Sequence, residues 1–279
     1  CNGYPELCSR PLNRVSFVTT HNAFAVGNNP AANQLNSITV QLKDGVRSFM
    51  LDAHQLSPEA PTSSIQMCHT TCALMDSGPF AKTLNEFKTF MDANPNEFIV
   101  LFIENFDNFP GSAFEKAFSD AGLVKYMYWK EKSAPWPTLG SVIQQNKRLM
   151  VLFDRLPSST APWQMLEYDV CWETPYEISF KNPVYTCRVD RPSNPAPNSL
   201  YVLNHFLFTT FTVGGSAIPI PNPDIAKAAN GAPLSEHVNL CKAQQNNVMP
   251  NFVAVDFYHE GDVFNVVAAL NNVTYTGNG

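Results

Sequence analysis

His21 and His69 each stand just beyond a short apolar run, and Asp52, Glu104, Asp154 and Asp256 each close another. Two imidazoles in one pocket can divide general-base and general-acid work near neutral pH, because their unperturbed pKa is about 6.5. A carboxylate such as Asp256 can hold the base, His21, in one tautomer. Asn22, Asp52 and Glu104 offer an amide oxygen and two carboxylates, hard ligands suited to Ca²⁺ or Mg²⁺. A cation held there would neutralise a phosphodiester that an acidic pocket otherwise repels. Taken singly, each histidine reads as an ordinary structural residue, Asp52 and Glu104 as edge carboxylates paired with Arg or Lys, and Asp154 as either. Their joint placement at strand ends is what points to catalysis.

For these positions to meet, the runs must be parallel strands of one barrel, which delivers every carboxyl end to the same face. Strands are expected at Val15–Thr19, Val46–Asp52, Ser64–Cys68, Phe98–Glu104, Leu149–Asp154, Tyr168–Trp172, Leu200–Asn204 and Phe252–Asp256. Period-two alternation sets Val46, Ser48, Met50 and Asp52 on one side of the second strand, and Val100, Phe102 and Glu104 on one side of the fourth. The clearest helix is Phe80–Asn94, where Phe80, Leu84, Phe87 and Met91 recur at helical spacing before Pro95. Weaker helices fit Ala32–Lys43, Ser112–Ala121, Leu139–Asn146, Leu234–Gln245 and Asp262–Leu270. Thr174–Asn198 is rich in Pro, Asn and Tyr and lacks helical period. The expected fold is therefore α/β, a single (β/α)8 TIM-type barrel over residues 1–279, distorted or incomplete, with an irregular crossover between strands six and seven. Lys181–Asn198 is the candidate linker, but a cut there would leave the last two strands without a sheet.

The chain has 279 residues, a net charge of -6 and 18 basic residues, which argues against a nucleic-acid partner and against binding an anionic membrane by charge alone. No apolar run approaches the ~18 residues of a membrane span. Seven cysteines, 22 prolines and the sequon Asn272-Val273-Thr274 indicate an oxidising compartment and secretion. The opening at Cys1 without a basic-then-apolar leader reads as a mature form. Expected pairs are Cys68 with Cys72, Cys171 with Cys187 and Cys1 with Cys8, leaving Cys241 over; alternatively Cys241 pairs and a terminal cysteine is left. Cys68-His69-Thr70-Thr71-Cys72 lacks the haem spacing and is weak for zinc, so a disulfide loop pinning His69 is the better account. Arg47 has the wrong parity to share a face with Asp52 and reads as an ion-pair partner. Of the other histidines only His205 stands near a strand end. Phe206–Pro221 reads either as an apolar rim for a lipid tail or as a buried loop.

The stretches Thr20-His21-Asn22-Ala23-Phe24, Gly45-Val46-Arg47-Ser48-Phe49-Met50-Leu51-Asp52, Cys68-His69-Thr70-Thr71-Cys72, Asn94-Pro95-Asn96-Glu97-Phe98 and Asn251-Phe252-Val253-Ala254-Val255-Asp256-Phe257-Tyr258 resemble, in order and spacing, the phosphatidylinositol-specific phospholipase C X-domain family, most closely its secreted plant and fungal branch. The resemblance implies a phosphodiesterase acting on a phosphoinositide or glycosylphosphatidylinositol. In it His21 is general base on the inositol 2-hydroxyl, His69 is general acid to the leaving glycerol oxygen, and Asp256 supports the base, so that a cyclic inositol phosphate forms first. Asn22, Asp52 and Glu104 match positions that hold Ca²⁺ in metal-dependent members, and the metal-free members have an arginine where Asp52 stands. Met50 departs from the glutamate ligand of the animal enzymes. Arg155, Glu173 and Tyr176 fall near head-group-binding positions. The expected protein is a secreted monomer with a phospholipid or inositol-phosphate substrate and transient membrane contact. The competing readings are phospholipase D-like or glycerophosphodiester chemistry, and a non-catalytic lipid or sugar-phosphate binding barrel.

Overall fold

Alternation along the apolar runs decides the layering. In the segment Ile99–Asn105, Ile99, Leu101 and Ile103 pack with helix residues such as Phe80, Leu84 and Phe87, whereas Val100 and Phe102 join a second cluster with Phe17, Met150, Leu152, Val202 and Phe252. The first cluster fills the layer between sheet and helices; the second fills the barrel. The computed structural model describes residues 1–61, 64–181, 183–213 and 216–277, and of 210–213 and 216–219 the backbone alone.

In chain order the strands are β1 (Phe17–Thr20), β2 (Ser48–Gln55), β3 (Ile65–Cys68), β4 (Asp76–Pro79), β5 (Ile99–Asn105), β6 (Met127–Tyr128), β7 (Leu149–Phe153), β8 (Met165–Leu166), β9 (Cys171–Glu173), β10 (Leu200–Asn204), β11 (Phe208–Val213), β12 (Ser216–Pro221) and β13 (Phe252–Val255). The helices are α1 (Ile38–Asp44), α2 (Phe80–Ala93), α3 (Gly111–Asp120), α4 (Leu139–Gln144), α5 (Glu167–Val170), α6 (Pro223–Ala229), α7 (Ala232–Gln244) and α8 (Val263–Leu270). Hydrogen bonding runs β6-β7-β5-β2-β1-β13-β10-β9 with every neighbouring pair parallel. The curled sheet is a TIM-type barrel, incomplete and distorted, and among the described residues no pairing joins β9 to β6 or β8. The gap adjoins the irregular crossover, where residues 174–199 hold no helix among those described.

Four expectations of strand and helix placement need correction. The third expected strand is not a parallel barrel member: β3 runs antiparallel to β2, with Ala53 opposite Met67 and Gln55 opposite Ile65. Residues 56–64 are too short a link for a parallel crossover, which needs a dozen or more. The eighth place in the path falls instead to the two-residue β6, too brief to show a period. The sixth expected strand begins as α5 and becomes extended only at Cys171. The expected helix Ala32–Lys43 starts at Ile38, where the Ser37 side chain accepts from Val40 N, so residues 32–36 form a loop. Val46 also precedes its strand and packs outside the barrel.

Disulfides join Cys1 to Cys8 and Cys68 to Cys72 as expected, but Cys187 pairs with Cys241 and Cys171 is the free, buried thiol. The layering explains the difference, because Cys171 faces the barrel cluster while Cys187 and Cys241 share the outer one. Arg47 pairs with Glu97 at 2.6 Å and donates to the Leu42 and Val46 carbonyls, a structural role as expected. No helix among the described residues is long and apolar enough to cross a membrane.

Candidate active site

Each of the three residues expected to move or steer protons is followed by a non-glycine residue in the left-handed region: Asn22 (φ 44°) after His21, Thr70 (φ 64°) after His69 and Phe257 (φ 45°) after Asp256. Such positions cost about 1–3 kcal/mol each and persist only where surrounding contacts over-determine them. Those contacts are present. Gln34 Nε2 donates to the His21 and Val255 carbonyls, Phe257 N donates to the Asn33 carbonyl, and Asn230 Nδ2 donates to the Asp256 carbonyl.

His21, His69 and Asp256 meet at one cleft of about 460 Å³, which Asn22, Asp52, Glu104, Arg155 and Tyr176 also line. His21 Nδ1 lies 2.9 Å from Asp256 Oδ1, and Asn33 Nδ2 donates to the same oxygen at 3.0 Å. A carboxylate only accepts, so Nδ1 carries a proton, and in the neutral ring Nε2 keeps its lone pair. His69 Nδ1 donates to the Ala31 carbonyl at 2.6 Å, which leaves its Nε2 for the cleft. Burial pushes the His69 pKa down, and the charge of His21 adds to that effect against the opposing pull of the Ala31 carbonyl and Asp256. His69 arrives not from a barrel strand end but on the loop after β3, pinned by the Cys68–Cys72 bond.

Asn22 stands between the histidine and the carboxylates. Its amide is satisfied with the nitrogen donating to both Asp52 carboxylate oxygens, at 3.0 and 3.2 Å, and the oxygen 3.2 Å from His69 Nε2, from which it accepts when that nitrogen is protonated. Asp52 and Glu104 are register partners on β2 and β5. Burial raises the Asp52 pKa well above the usual carboxylate range, and Glu104 and Asp154 add to the rise. Glu104 is raised by burial and by Asp154, with Arg191 opposing. Charge is thus costly here unless a cation shares the site, and three oxygen-bearing side chains are the hard donor set for one.

Glu173 does not line the cleft; it is buried beneath it, pairing with Arg191 at 2.5 Å and accepting from Tyr168 Oη and Asn204 Nδ2. Arg191 was not singled out from sequence, yet it lines the cleft with its guanidinium 4.6 Å over the Tyr176 ring. Asn33 was also missed, because residues 32–36 carried a helical pattern. Phe206 and Phe106 bring aromatic faces to the cleft, and Phe206 lies flat on His21. The hairpin β11–β12 follows Phe206; of the stretch read either as a rim or as a buried loop, Phe206, Phe208 and Pro221 line the cleft, while the side chains of residues 210–219, and Gly214 and Gly215 altogether, lie outside the described residues.

Two expected contributors face elsewhere. Asp154 accepts from Asn105 N, Arg155 N and Arg155 Nε, which makes it a structural anchor for the loops after β5 and β7. His205 does not reach the mouth: it is fully buried against His237 and the Ala229 carbonyl. Burial pushes its pKa down to about 3 and that of His237 to about 4.

The family model described as PI-PLC X 1 matches residues 7–271. The PI-PLC X domain-containing protein 1 of Arthroderma benhamiae is 32% identical over 283 residues, covering 98% of this chain and 90% of that protein. A protein of the same fungus named an uncharacterized secreted protein is 30% identical, and a PI-PLC X domain-containing protein of Arabidopsis thaliana is 29% identical. The chain spans 65% and 64% of those two relatives' lengths. Among solved structures, phosphatidylinositol-specific phospholipase C from Listeria monocytogenes superposes with a TM-score of 0.60 at 15% identity, covering 97% of this chain and 96% of the other. A Staphylococcus aureus phosphatidylinositol-specific phospholipase C carrying pentafluoro-Phe matches at the same TM-score and identity over 98% of this chain and 96% of its own. At that identity the likeness shows the fold.

Proposed function

Because the chain belongs to the PI-PLC X family, we propose that it is a phosphodiesterase of the phospholipase C type acting on a phosphoinositide or glycosylphosphatidylinositol. The observation that carries this reading is the pair of imidazoles in one cleft, each with Nδ1 tied down and Nε2 left for substrate. His21 Nε2 takes the proton of the inositol 2-hydroxyl, whose oxygen attacks phosphorus. The phosphorus–oxygen bond to glycerol breaks as His69 hands a proton to that oxygen, and a cyclic inositol phosphate is released. Burial lowers the His69 pKa, and a phosphate anion beside it acts in the opposite direction, so substrate itself favours the protonated acid.

Arg155 and Arg191 supply donors for phosphate or ring hydroxyls, with Glu173 and Tyr176 fixing Arg191. Asn22, Asp52 and Glu104 would hold a divalent cation, Ca²⁺ by preference and Mg²⁺ as the alternative, and its charge would offset that of the phosphodiester. The two carboxylates and the amide of Asn22 lining one cleft support that assignment; Met50 adds no oxygen to the set. The three disulfides suit an oxidising, extracellular setting. The exposed Asn272 suits glycosylation there, and a monomer with transient membrane contact completes the reading.

Phosphorus NMR on phosphatidylinositol, with and without chelator, tests it. The cyclic phosphate is expected to precede any open-chain product, and His21→Ala and His69→Ala are expected to abolish turnover. Open-chain phosphate alone from the earliest time, or equal rates in all three proteins, rejects the proposal.

A further inference from the structure

The irregular crossover is tied to α7 by Cys187–Cys241, and beside that bond lie two buried histidines that the proposed reaction does not use. His205 Nε2 sits 3.0 Å from the Ala229 carbonyl, which can only accept, so Nε2 carries the proton and His205 Nδ1 is a lone pair. That Nδ1 is 3.0 Å from His237 Nδ1, which must then be the donor. That leaves His237 Nε2, on a side chain 1% exposed, with no hydrogen bond of normal geometry, the Thr186 carbonyl being the other polar neighbour of the ring. An unpaired buried acceptor costs about 1–3 kcal/mol.

One imidazole nitrogen of His237 and the sulfurs of Cys187 and Cys241 all lie within 4.8 Å of one another. His237 and Cys241 are four residues apart on α7 and share a face, while Cys187 comes from the crossover. A histidine whose second nitrogen is already fixed by an outer partner is the usual form of a metal ligand. Among the described residues no other group of three His, Cys, Asp or Glu side chains is drawn so close.

We propose that Cys187, Cys241 and His237 form a latent site for a thiophilic divalent cation of the Zn²⁺ class, closed while the Cys187–Cys241 disulfide is intact and opened by its reduction. A dithiol or phosphine reductant delivers two electrons to the sulfur–sulfur bond, two protons are taken up, and the reductant leaves oxidised. The two thiols then release those protons as the cation binds both thiolates and His237 Nε2. The cation makes the same link as the disulfide, so the crossover that carries Arg191 stays tied to α7 in either state.

The whole chain, reduced anaerobically with a phosphine and freed of excess reductant, is titrated with Co²⁺ and then Zn²⁺. The reduced wild type is expected to bind one more Co²⁺ than Cys187→Ser/Cys241→Ser, with a thiolate-to-cobalt absorption band that Zn²⁺ abolishes, and Zn²⁺ is expected to raise the Tm of the reduced form by more than that of the oxidised form. His237→Gln keeps the disulfide, so its oxidised Tm reports on folding, and once reduced it is expected to bind Co²⁺ weaker by about 10-fold or more. No excess of Co²⁺ over the double serine variant, or wild-type affinity in folded His237→Gln, overturns the proposal. Neither readout uses phosphodiesterase activity, so the outcome is separate from that of the proposed reaction.

Discussion

The imidazole of His21 and the ring of Phe206 lie face to face, their centroids 3.7 Å apart and their planes 4° from parallel. Asp256 fixes one edge of the imidazole and Phe206 covers one face, so the free nitrogen has a single direction in which to act. Aromatic pairs contribute about 0.5–1.5 kcal/mol beyond area burial. Phe206→Ala is therefore expected to lower kcat/KM about 2- to 10-fold while Phe206→Tyr stays near wild type. Steady-state kinetics on phosphatidylinositol vesicles checks this, and an unchanged kcat/KM in the alanine variant removes Phe206 from the positioning of the base.

Asp256→Asn keeps the shape of the support but offers His21 a neutral amide in place of a carboxylate. The imidazole then loses its tautomer and the charge that stabilises it when protonated. A fall in kcat of about 10²- to 10⁴-fold is expected with the circular dichroism spectrum unchanged. A folded variant within about 2-fold of wild type would falsify the assigned role, since general-base catalysis is far larger than that.

The raised pKa values of Asp52 and Glu104 tie the cation to stability. A folded state that holds protons above the unfolded pKa has that stabilisation at low pH and loses it as pH rises through the folded pKa. At neutral pH, Asp52→Asn should therefore raise the Tm of chelator-treated protein. Saturating Ca²⁺ should raise the wild-type Tm, by about 2.7 kcal/mol of stability at 100 times Kd, and leave the variant unmoved. Identical melting of wild type in chelator and in Ca²⁺ counts against a site at Asn22, Asp52 and Glu104.

The buried pair His205 and His237 sets an opposite trend. Their folded pKa values, about 3 and about 4, lie below the unfolded value of 6.5. Between those limits the unfolded chain binds protons that the folded one refuses, so their contribution falls as pH drops below 6.5 and levels off near 3. The total loss is on the order of a few kcal/mol. Melting the oxidised protein from pH 7 to 4 should give a steeper decline for wild type than for His205→Gln; equal slopes would mean that the pair takes up protons in the fold as readily as in the unfolded chain.

Arg191 is held by Glu173 and Tyr176 with its guanidinium at the cleft. A lysine cannot reproduce the planar fork or the stacking. Arg191→Lys is expected to raise KM about 10-fold with a smaller effect on kcat, and loss of kcat at constant KM would assign it to the chemical step instead.

Residues that lie close in sequence to a strong pattern were legible: His21 and Asp256 at the ends of apolar strands, Val100, Phe102 and Glu104 alternating on one face, and the helix over Phe80–Ala93. The departures have local causes. Two residues of β6 cannot show a period, the short link before β3 turns the strand back, and Asn33 stands in a loop that borrowed a helical pattern. Arg191 gave no signal because its crossover has none; it is placed by pairing with Glu173, which lies 18 positions earlier.

Backbone propensity and hydrophobic period act over a few residues, and so the amino-acid order alone determined the strand and helix inventory in outline, the α/β class and the chemical types gathered at strand ends. Which sulfur meets which, whether β3 runs with or against its neighbour, and which arginine reaches the mouth were settled only by the curling of the sheet and the packing around it. Cys171 and Cys187 are near in sequence yet lie on opposite faces of one strand layer, and side chains separated by a packed sheet cannot bond whatever their spacing.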